Sequence, residues 1–202
     1  MSVPQFQASN VIAGAGFMYL APAGTAIPDL STMPTDSTLQ SAGFVPSGYT
    51  DDGVQFTYTP QTKDIDVDEE MSPVQILLIG EKLEINLKFA EVTLNNLLRA
   101  IAGSSLVEGA GISTLYLGSP AQSSVQEYVA IFMGPAPGTE ANAGTTGRVI
   151  AVYRIKSTGA VTHHAQRKDK VVYAVKFTAL ADSTKSAGQR LAKIIDYNQA
   201  GS

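Results

Sequence analysis

The sequence lacks cysteine and tryptophan, and it holds only two histidines among its 202 residues. Without cysteine the chain can form neither a disulfide nor a thiolate metal site, which fits a protein made in a reducing cytoplasm. No apolar run approaches the roughly 20 residues that span a bilayer, and residues 1–17 carry no basic segment. We therefore expect neither a membrane anchor nor a secretory signal.

Catalytic motifs are also missing. The two histidines, His163 and His164, are adjacent in a segment that reads as extended, so their side chains would point to opposite faces and could not chelate one ion. The sequence contains no G-x-S-x-G elbow, phosphate loop or H-E-x-x-H pattern. We expect no enzyme activity, no cofactor and no metal site.

What the sequence does contain is alternation with a period of two, which is typical of β-strands. In residues 82–89, Leu83, Ile85, Leu87 and Phe89 share one face and polar residues the other. The same reasoning predicts strands at residues 11–20, 54–58, 64–68, 74–79, 82–89, 114–117, 125–133, 149–156 and 170–180. Residues 74–79 and 82–89 flank Gly80-Glu81, which suits a type II′ turn, so we predict a tight hairpin there.

One segment, residues 93–102, changes to a helical period. Leu94, Leu97, Leu98 and Ile101 recur at the spacing of an amphipathic helix, and Thr93 can cap its N-terminus. Long segments without periodicity lie at residues 21–52 and 134–147, and residues from about 187 read as a C-terminal arm or a helix. These patterns predict one mainly β (α+β) domain over residues 1–202, an antiparallel sandwich or barrel with one flanking helix, extended loops and terminal arms.

Charge is distributed unevenly along the chain. Residues 1–101 hold 12 acids and 4 bases, whereas the remainder holds 6 acids and 10 bases. Such asymmetry arises by chance when both halves fold together, or it places complementary charge on surfaces of subunits that meet. The base-rich residues 148–176 favour a solvated turn or an inter-subunit salt-bridge surface over a nucleic-acid module, because the pI is near 5.

The residues Asp64, Asp66 and Asp68 form an acidic pattern with two interpretations. The spacing resembles the start of a calcium loop, but the sixth position is Glu69 rather than Gly and the twelfth is Gln75 rather than Glu. On a strand the three carboxylates would share one face, either solvated or lining a channel.

Two segments resemble a known family. Residues 48–54, Gly-Tyr-Thr-Asp-Asp-Gly-Val, and residues 90–97, Ala-Glu-Val-Thr-Leu-Asn-Asn-Leu, with the strands between them, resemble the major tail tube proteins of long-tailed, siphophage-type bacteriophages. The similarity covers about half of the chain and does not extend beyond Gly103.

The resemblance implies a structural virion protein assembled in the host cytoplasm. Six copies would form a ring, and rings would stack into the hollow tail tube through which the genome is delivered. Loops and terminal arms would link rings, and the initiator, tape measure and terminator proteins of the tail would be partners. DNA would pass through the tube transiently and without sequence preference.

Within that frame, two sets of residues are candidates for function. Both faces of residues 74–79 are apolar, which a monomer rarely needs, so we expect this hairpin to meet another subunit. Its predicted contact residues are Val74, Ile76, Leu77, Leu78, Ile79, Ile85 and Leu87. The acidic strand is a candidate for the lumen wall, since carboxylates cannot displace the counterions of DNA as lysines do.

Other functions remain open at this point. A tail terminator or a secretion-system tube protein would share the fold and form rings without building long tubes. A carbohydrate-binding capsid decoration module would need exposed aromatic side chains on one face, and the chain has no tryptophan.

Overall fold

The computed structural model describes residues 14–118, 125–137, 145–163 and 170–197, and within them the chain is mainly β, as predicted. The strands are β1 (Phe17–Pro22), β2 (Val45–Pro46), β3 (Thr50–Ile65), β4 (Gln75–Phe89), β5 (Ser104–Gly109), β6 (Ile112–Leu117), β7 (Glu127–Gly134), β8 (Gly147–Ser157), β9 (Tyr173–Ala179) and β10 (Ala192–Tyr197). The helices are α1 (Asp36–Ser41) and α2 (Leu94–Ala100).

Eight strands form one antiparallel sheet in the order β2-β1-β7-β8-β9-β4-β3, with β10 paired to β8 off this path. The sheet branches at β8, because its residues 147–152 pair with β10 and its residues 155–157 pair with β9. The strands β5 and β6 form a separate two-stranded sheet next to α2.

The large sheet folds over itself to enclose the main core. Phe56 of β3 contacts Phe132 of β7 edge to face, with ring centroids 5.4 Å apart, although four places separate these strands in the sheet order. Between the two halves lie buried side chains from five strands, among them Leu20, Ile85, Phe89, Val152, Ile155 and Phe177. The predicted inward face of residues 82–89 is therefore confirmed, and the fold is a sandwich.

The opposite face of β1, β7 and β8 is covered by the segment that the sequence predicts as a patternless loop. Residues 21–52 contain α1 and β2, and their Met33, Leu39 and Phe44 are buried against Val149 and Ile131 of the sheet. The segment is ordered by its own sheet, because its apolar side chains pack there. Its role in linking rings stays a prediction.

The predicted helix at residues 93–102 is confirmed as α2. Thr93 caps it, since its hydroxyl accepts a hydrogen bond of 3.1 Å from the Asn96 amide. Its most buried side chains are Asn96 and Ala100, while Leu97 is only partly buried and Leu94 is exposed. The leucine stripe therefore faces the core only in part.

The predicted hairpin around Gly80-Glu81 is wrong. β4 runs unbroken from Gln75 to Phe89, and its partner is β3, which it pairs from Phe89 to Gln75. The connection between the two strands is residues 66–74 instead. Gly80 predicted a turn, but β3 pairs with β4 on both sides of this glycine, so the chain continues as a strand. A β-bulge next to Gly80 shifts the register of the pairing.

The predicted C-terminal arm is partly wrong as well, because β10 is a paired strand of the sheet. Arg148 of β8 and Asp196 of β10 form a two-pronged ion pair at 2.6 and 2.7 Å. Residues 11–13, 138–144, 164–169 and 198–202, which include His164, Arg167 and Lys168, lie outside the described residues.

Protonation of Asp196 in acid should weaken the pairing of β10 with β8. The hydrogen bonds from Arg148 hold the pKa of Asp196 below its ordinary value of 3.8. A lowered carboxyl pKa means stability that is present at neutral pH and is lost as the pH falls below that ordinary value. We expect protection factors of the β10 amides, measured by hydrogen exchange, to drop below about pH 4. The variant Asp196→Asn should show weaker protection at pH 7 and little further loss in acid, and an unchanged acid response in this variant would contradict the assignment.

Candidate assembly surface

The most prominent surface feature is a two-stranded ribbon, residues 59–82, which we call the arm. It is the continuation of β3 and β4 beyond the body of the protein, paired from Thr59–Lys82 to Ile65–Gln75. β9 pairs with β4 only between Glu84 and Phe89. Beyond that point the strands have no third partner among the described residues, and about seven residues of strand extend the arm by roughly 20 Å.

Large apolar side chains are exposed on both faces of the arm. Register places Ile76 and Leu78 on one face with Thr62 and Asp64, and Leu77 on the other. The exposed fractions of Ile76 and Leu78 are 64% and 61%. The remaining exposed apolar side chains of the arm are Val67, Met71, Val74, Leu77 and Ile79. An isolated two-stranded hairpin is marginally stable in water, so such a surface indicates a partner.

Two of the seven predicted contact residues lie elsewhere. Ile85 and Leu87 are 0% and 4% exposed and belong to the main core. The prediction includes them because a hairpin around Gly80-Glu81 would place residues 82–89 opposite residues 74–79. In the structure both segments belong to one strand, of which the first part is exposed and the second is buried.

The acidic residues gather at the distal end of the arm rather than on a strand face. Asp64 lies in β3, but Asp66 and Asp68 lie in the connection between β3 and β4, so the predicted acidic strand is wrong. Glu69 and Glu70 follow in the same connection, and all five side chains are exposed. None of them forms an ion pair within the part of the chain that the structure describes.

The segment 48–54 sets the direction in which β3 starts. Asp52 and Gly53 form a bulge opposite Lys88 and Leu87, and both have positive φ, 62° and 74°. Glycine and aspartate adopt this conformation more readily than most residues. Lys88 forms an ion pair with Asp52 and lowers the pKa of its carboxyl by hydrogen bonding.

A second anchor joins this segment to α2. The Asn96 side-chain amide donates hydrogen bonds of 3.0 Å to the carbonyl oxygens of Ser47 and Glu91. The Glu91 carboxylate accepts a 2.9 Å hydrogen bond from the Tyr49 amide. A Cβ at Gly48 would lie 2.3 Å from the Glu91 carboxyl carbon. Sequence reasoning missed these roles, because they join segments more than 40 residues apart.

The change Asn96→Ala should destabilise the fold at the base of β3. The buried carbonyl of Ser47 and the partly buried carbonyl of Glu91 would lose their donor, which costs about 1–3 kcal/mol of the free energy of unfolding. Chemical denaturation measures it, and the neighbouring Asn95→Ala, at an exposed position, is the control with an expected change within about 0.5 kcal/mol. Equal effects of the two changes would contradict the stabilising role of the Asn96 hydrogen bonds.

The surface is thus an apolar ribbon with an acidic end, and hydrogen-bonded and charged contacts hold the start of β3, the strand that runs on into it. The model of the family described as phage tail tube protein matches residues 6–200. This chain belongs to the phage tail tube protein family. The match extends well past Gly103, the point where the resemblance of the two segments ends. A search of curated proteins found no match.

Membership in the tail tube family makes the chain a structural component of a phage tail, and the family is not one of enzymes. The two segments that carry the resemblance are the bulge before β3 and the junction into α2. In this tail tube protein both segments support the start of the strand that becomes the arm. Neither helix of the described residues is long and apolar enough to cross a membrane.

Proposed function

We propose that six copies of this tail tube protein form a ring and that rings stack into the hollow tube through which the phage genome is delivered. The observation that carries the proposal is the arm. Its strands expose backbone donors and acceptors along both edges and apolar side chains on both faces. Contact with other copies would give the backbone groups hydrogen-bond partners and would bury the apolar side chains.

The arm is suited to cooperative assembly rather than to a tight dimer. Burying an apolar side chain contributes about 1.5–3 kcal/mol, and the arm's side chains are already partly covered. Association itself costs at least about 4 kcal/mol in lost freedom of motion. One arm contact is therefore weak. A closed ring of six copies, however, has six contacts for five associations, so its last contact forms without a further association cost.

A second exposed apolar surface lies on the β5–β6 hairpin and is the proposed counterpart within the assembly. Val107, Ile112 and Tyr116 share its outward face, and each is more than half exposed. A head-to-tail contact between identical copies requires two different surfaces on each copy. The arm and this hairpin would provide them.

The acidic end of the arm supports the proposed passage of DNA. Asp64, Asp66 and Asp68 remain our candidates for the lumen wall, because unpaired carboxylates repel phosphate and release none of its counterions. A helical reconstruction of the tube tests this assignment. Side chains of these three residues on the outer wall would contradict it.

The test of self-assembly is to express the chain alone and to follow it by negative-stain electron microscopy and light scattering. Hollow tubes or six-fold rings are expected. Tubes also separate this function from that of a ring-forming tail terminator or secretion-system tube protein, which would stop at short stacks. A chain that stays monomeric at high concentration, with and without the initiator complex of its tail, would contradict the proposal.

The same proposal gives the chain further partners. The initiator of the tail would start the tube, the tape measure protein would occupy it during assembly in the host cytoplasm, and the terminator would close it. Pull-down of each tail protein with the chain at assembling concentrations measures these contacts.

A further inference from the structure

A pocket lies between α2, the end of β1 and the start of β7. Its lining includes Leu20, Pro22, Val45, Leu98, Arg99 and Tyr128. The lining is mostly apolar, and Arg99 supplies its cation. In ligand pockets that are mostly apolar, a small number of polar or charged groups fixes the orientation of what binds.

Arg99 has little compensation for its burial. Its guanidinium donates one hydrogen bond, of 3.1 Å, to the Asn96 side-chain oxygen, and it forms no ion pair with any residue the structure describes. Burial lowers the pKa of Arg99. The carboxylate that lines the same pocket, Glu127, is held by Arg154 at 2.7 Å and Lys156 at 3.1 Å. A guanidinium in this state favours a carboxylate from outside.

The chain itself contains a segment with the matching chemistry. At the end of the arm, Val67 and Met71 flank the acidic turn Asp68-Glu69-Glu70, and Met71 is fully exposed. Building on the proposed stacking of copies, we infer that the Arg99 pocket receives Glu69, Glu70 and Met71 of another copy's arm, with one of the two carboxylates on the guanidinium and Met71 against the apolar wall.

Within one copy, the pocket and the acidic turn lie near different ends of β3. β3 begins beside α2, where Thr50 pairs with Phe89 and Asn96 holds Ser47, and it ends at the arm's acidic end. β3 has sixteen residues, so its two ends are at most about 50 Å apart. The pocket lies beside the segment that leads into β3, whereas the acidic turn follows the other end of β3. Two different surfaces of one copy are what a head-to-tail contact that repeats along an open stack requires.

Disulfide trapping tests the contact directly, because the chain has no cysteine of its own. One variant carries Met71→Cys and Asn95→Cys, the latter an exposed position that lines the pocket. The control carries Met71→Cys and Ser186→Cys, an exposed position outside the pocket. Both are assembled under reducing conditions, oxidised mildly and analysed on non-reducing gels.

We expect a ladder of disulfide-linked multimers from the first variant and little above dimer from the control. If tubes form and the two variants give the same pattern, the pocket assignment is overturned while tube assembly stands. If the unmodified chain forms neither rings nor tubes, the proposed function fails first, and that result precedes any oxidation.

Charge reversal gives a second readout. Arg99→Glu should lower the mass of tubes at fixed concentration by about tenfold or more, since it removes a half-buried charge contact. Adding Glu69→Arg and Glu70→Arg to the same chain should restore tubes. The control Arg190→Glu makes the same change at an exposed arginine outside the pocket and the arm. Unchanged tube mass in a folded Arg99→Glu chain would overturn the inference.

Discussion

Replacing Ile76 and Leu78 with aspartate is expected to abolish tube formation while the subunit stays folded. Both side chains lie on one face of the arm and are about three-fifths exposed, so they add little to the stability of the monomer. Burying an unpaired carboxylate in an apolar contact costs at least about 2 kcal/mol for each aspartate. Two of them should therefore lower the population of rings and tubes by a factor of more than about one hundred.

Sedimentation and electron microscopy measure the assembly, and circular dichroism with thermal unfolding measures the fold. Ile194→Asp is the matched control, because Ile194 lies on β10 and its exposed fraction, 63%, nearly equals the 64% of Ile76. Tubes of normal length from the double variant would show that the arm is not an assembly surface. Loss of tubes in the control alone would move the interface to β10.

Truncation of Ile85 to alanine is expected to have the largest effect on the fold itself. Ile85 is fully buried between β3 and β9 in the main core, and deleting its side chain leaves a cavity. The expected loss is about 2–5 kcal/mol in the free energy of unfolding. Urea denaturation measures it, and the Ile76→Asp, Leu78→Asp background keeps the protein monomeric during the measurement.

The same change at Ile79 is the control on the same strand. Ile79 is 63% exposed, so Ile79→Ala should change the stability of the monomer by less than about 0.5 kcal/mol and should weaken assembly instead. The comparison of Ile85→Ala with Ile79→Ala therefore distinguishes the buried part of β4, which stabilises the fold, from its exposed part, which is proposed to act in assembly. Similar destabilisation by both changes would mean that the arm folds back on the body in solution.

Sequence patterns predicted elements well where one face of a segment is buried by its own chain. The alternation in residues 82–89 identified the inward side chains, and Thr93 identified the start of α2. The hairpin around Gly80 was wrong because a glycine in a strand and a glycine in a turn look alike locally, and only the pairing of Gln61 with Gly80 distinguishes them. Residues 21–52 had no period because they cover a sheet without belonging to a regular element over most of their length.

The candidate site was also predictable only in part, because local sequence patterns do not show which distant segments come together. Apolar side chains on both faces of residues 74–79 indicated a partner, and the structure leaves those side chains exposed. The pocket around Arg99 could not be predicted, because it combines residues of β1, α2 and β7 that lie far apart in the sequence.

The sequence by itself determined the class of the fold, the helix at α2, the absence of thiol chemistry and the family resemblance, which the family match confirms. These depend on local periodicity, composition and short motifs. The tertiary structure decided that β3 and β4 run on as an arm, that the acids gather at its end and that Ile85 and Leu87 are core residues. Pairing between distant segments settles each of these, since whether a side chain is buried depends on which strand lies across from it.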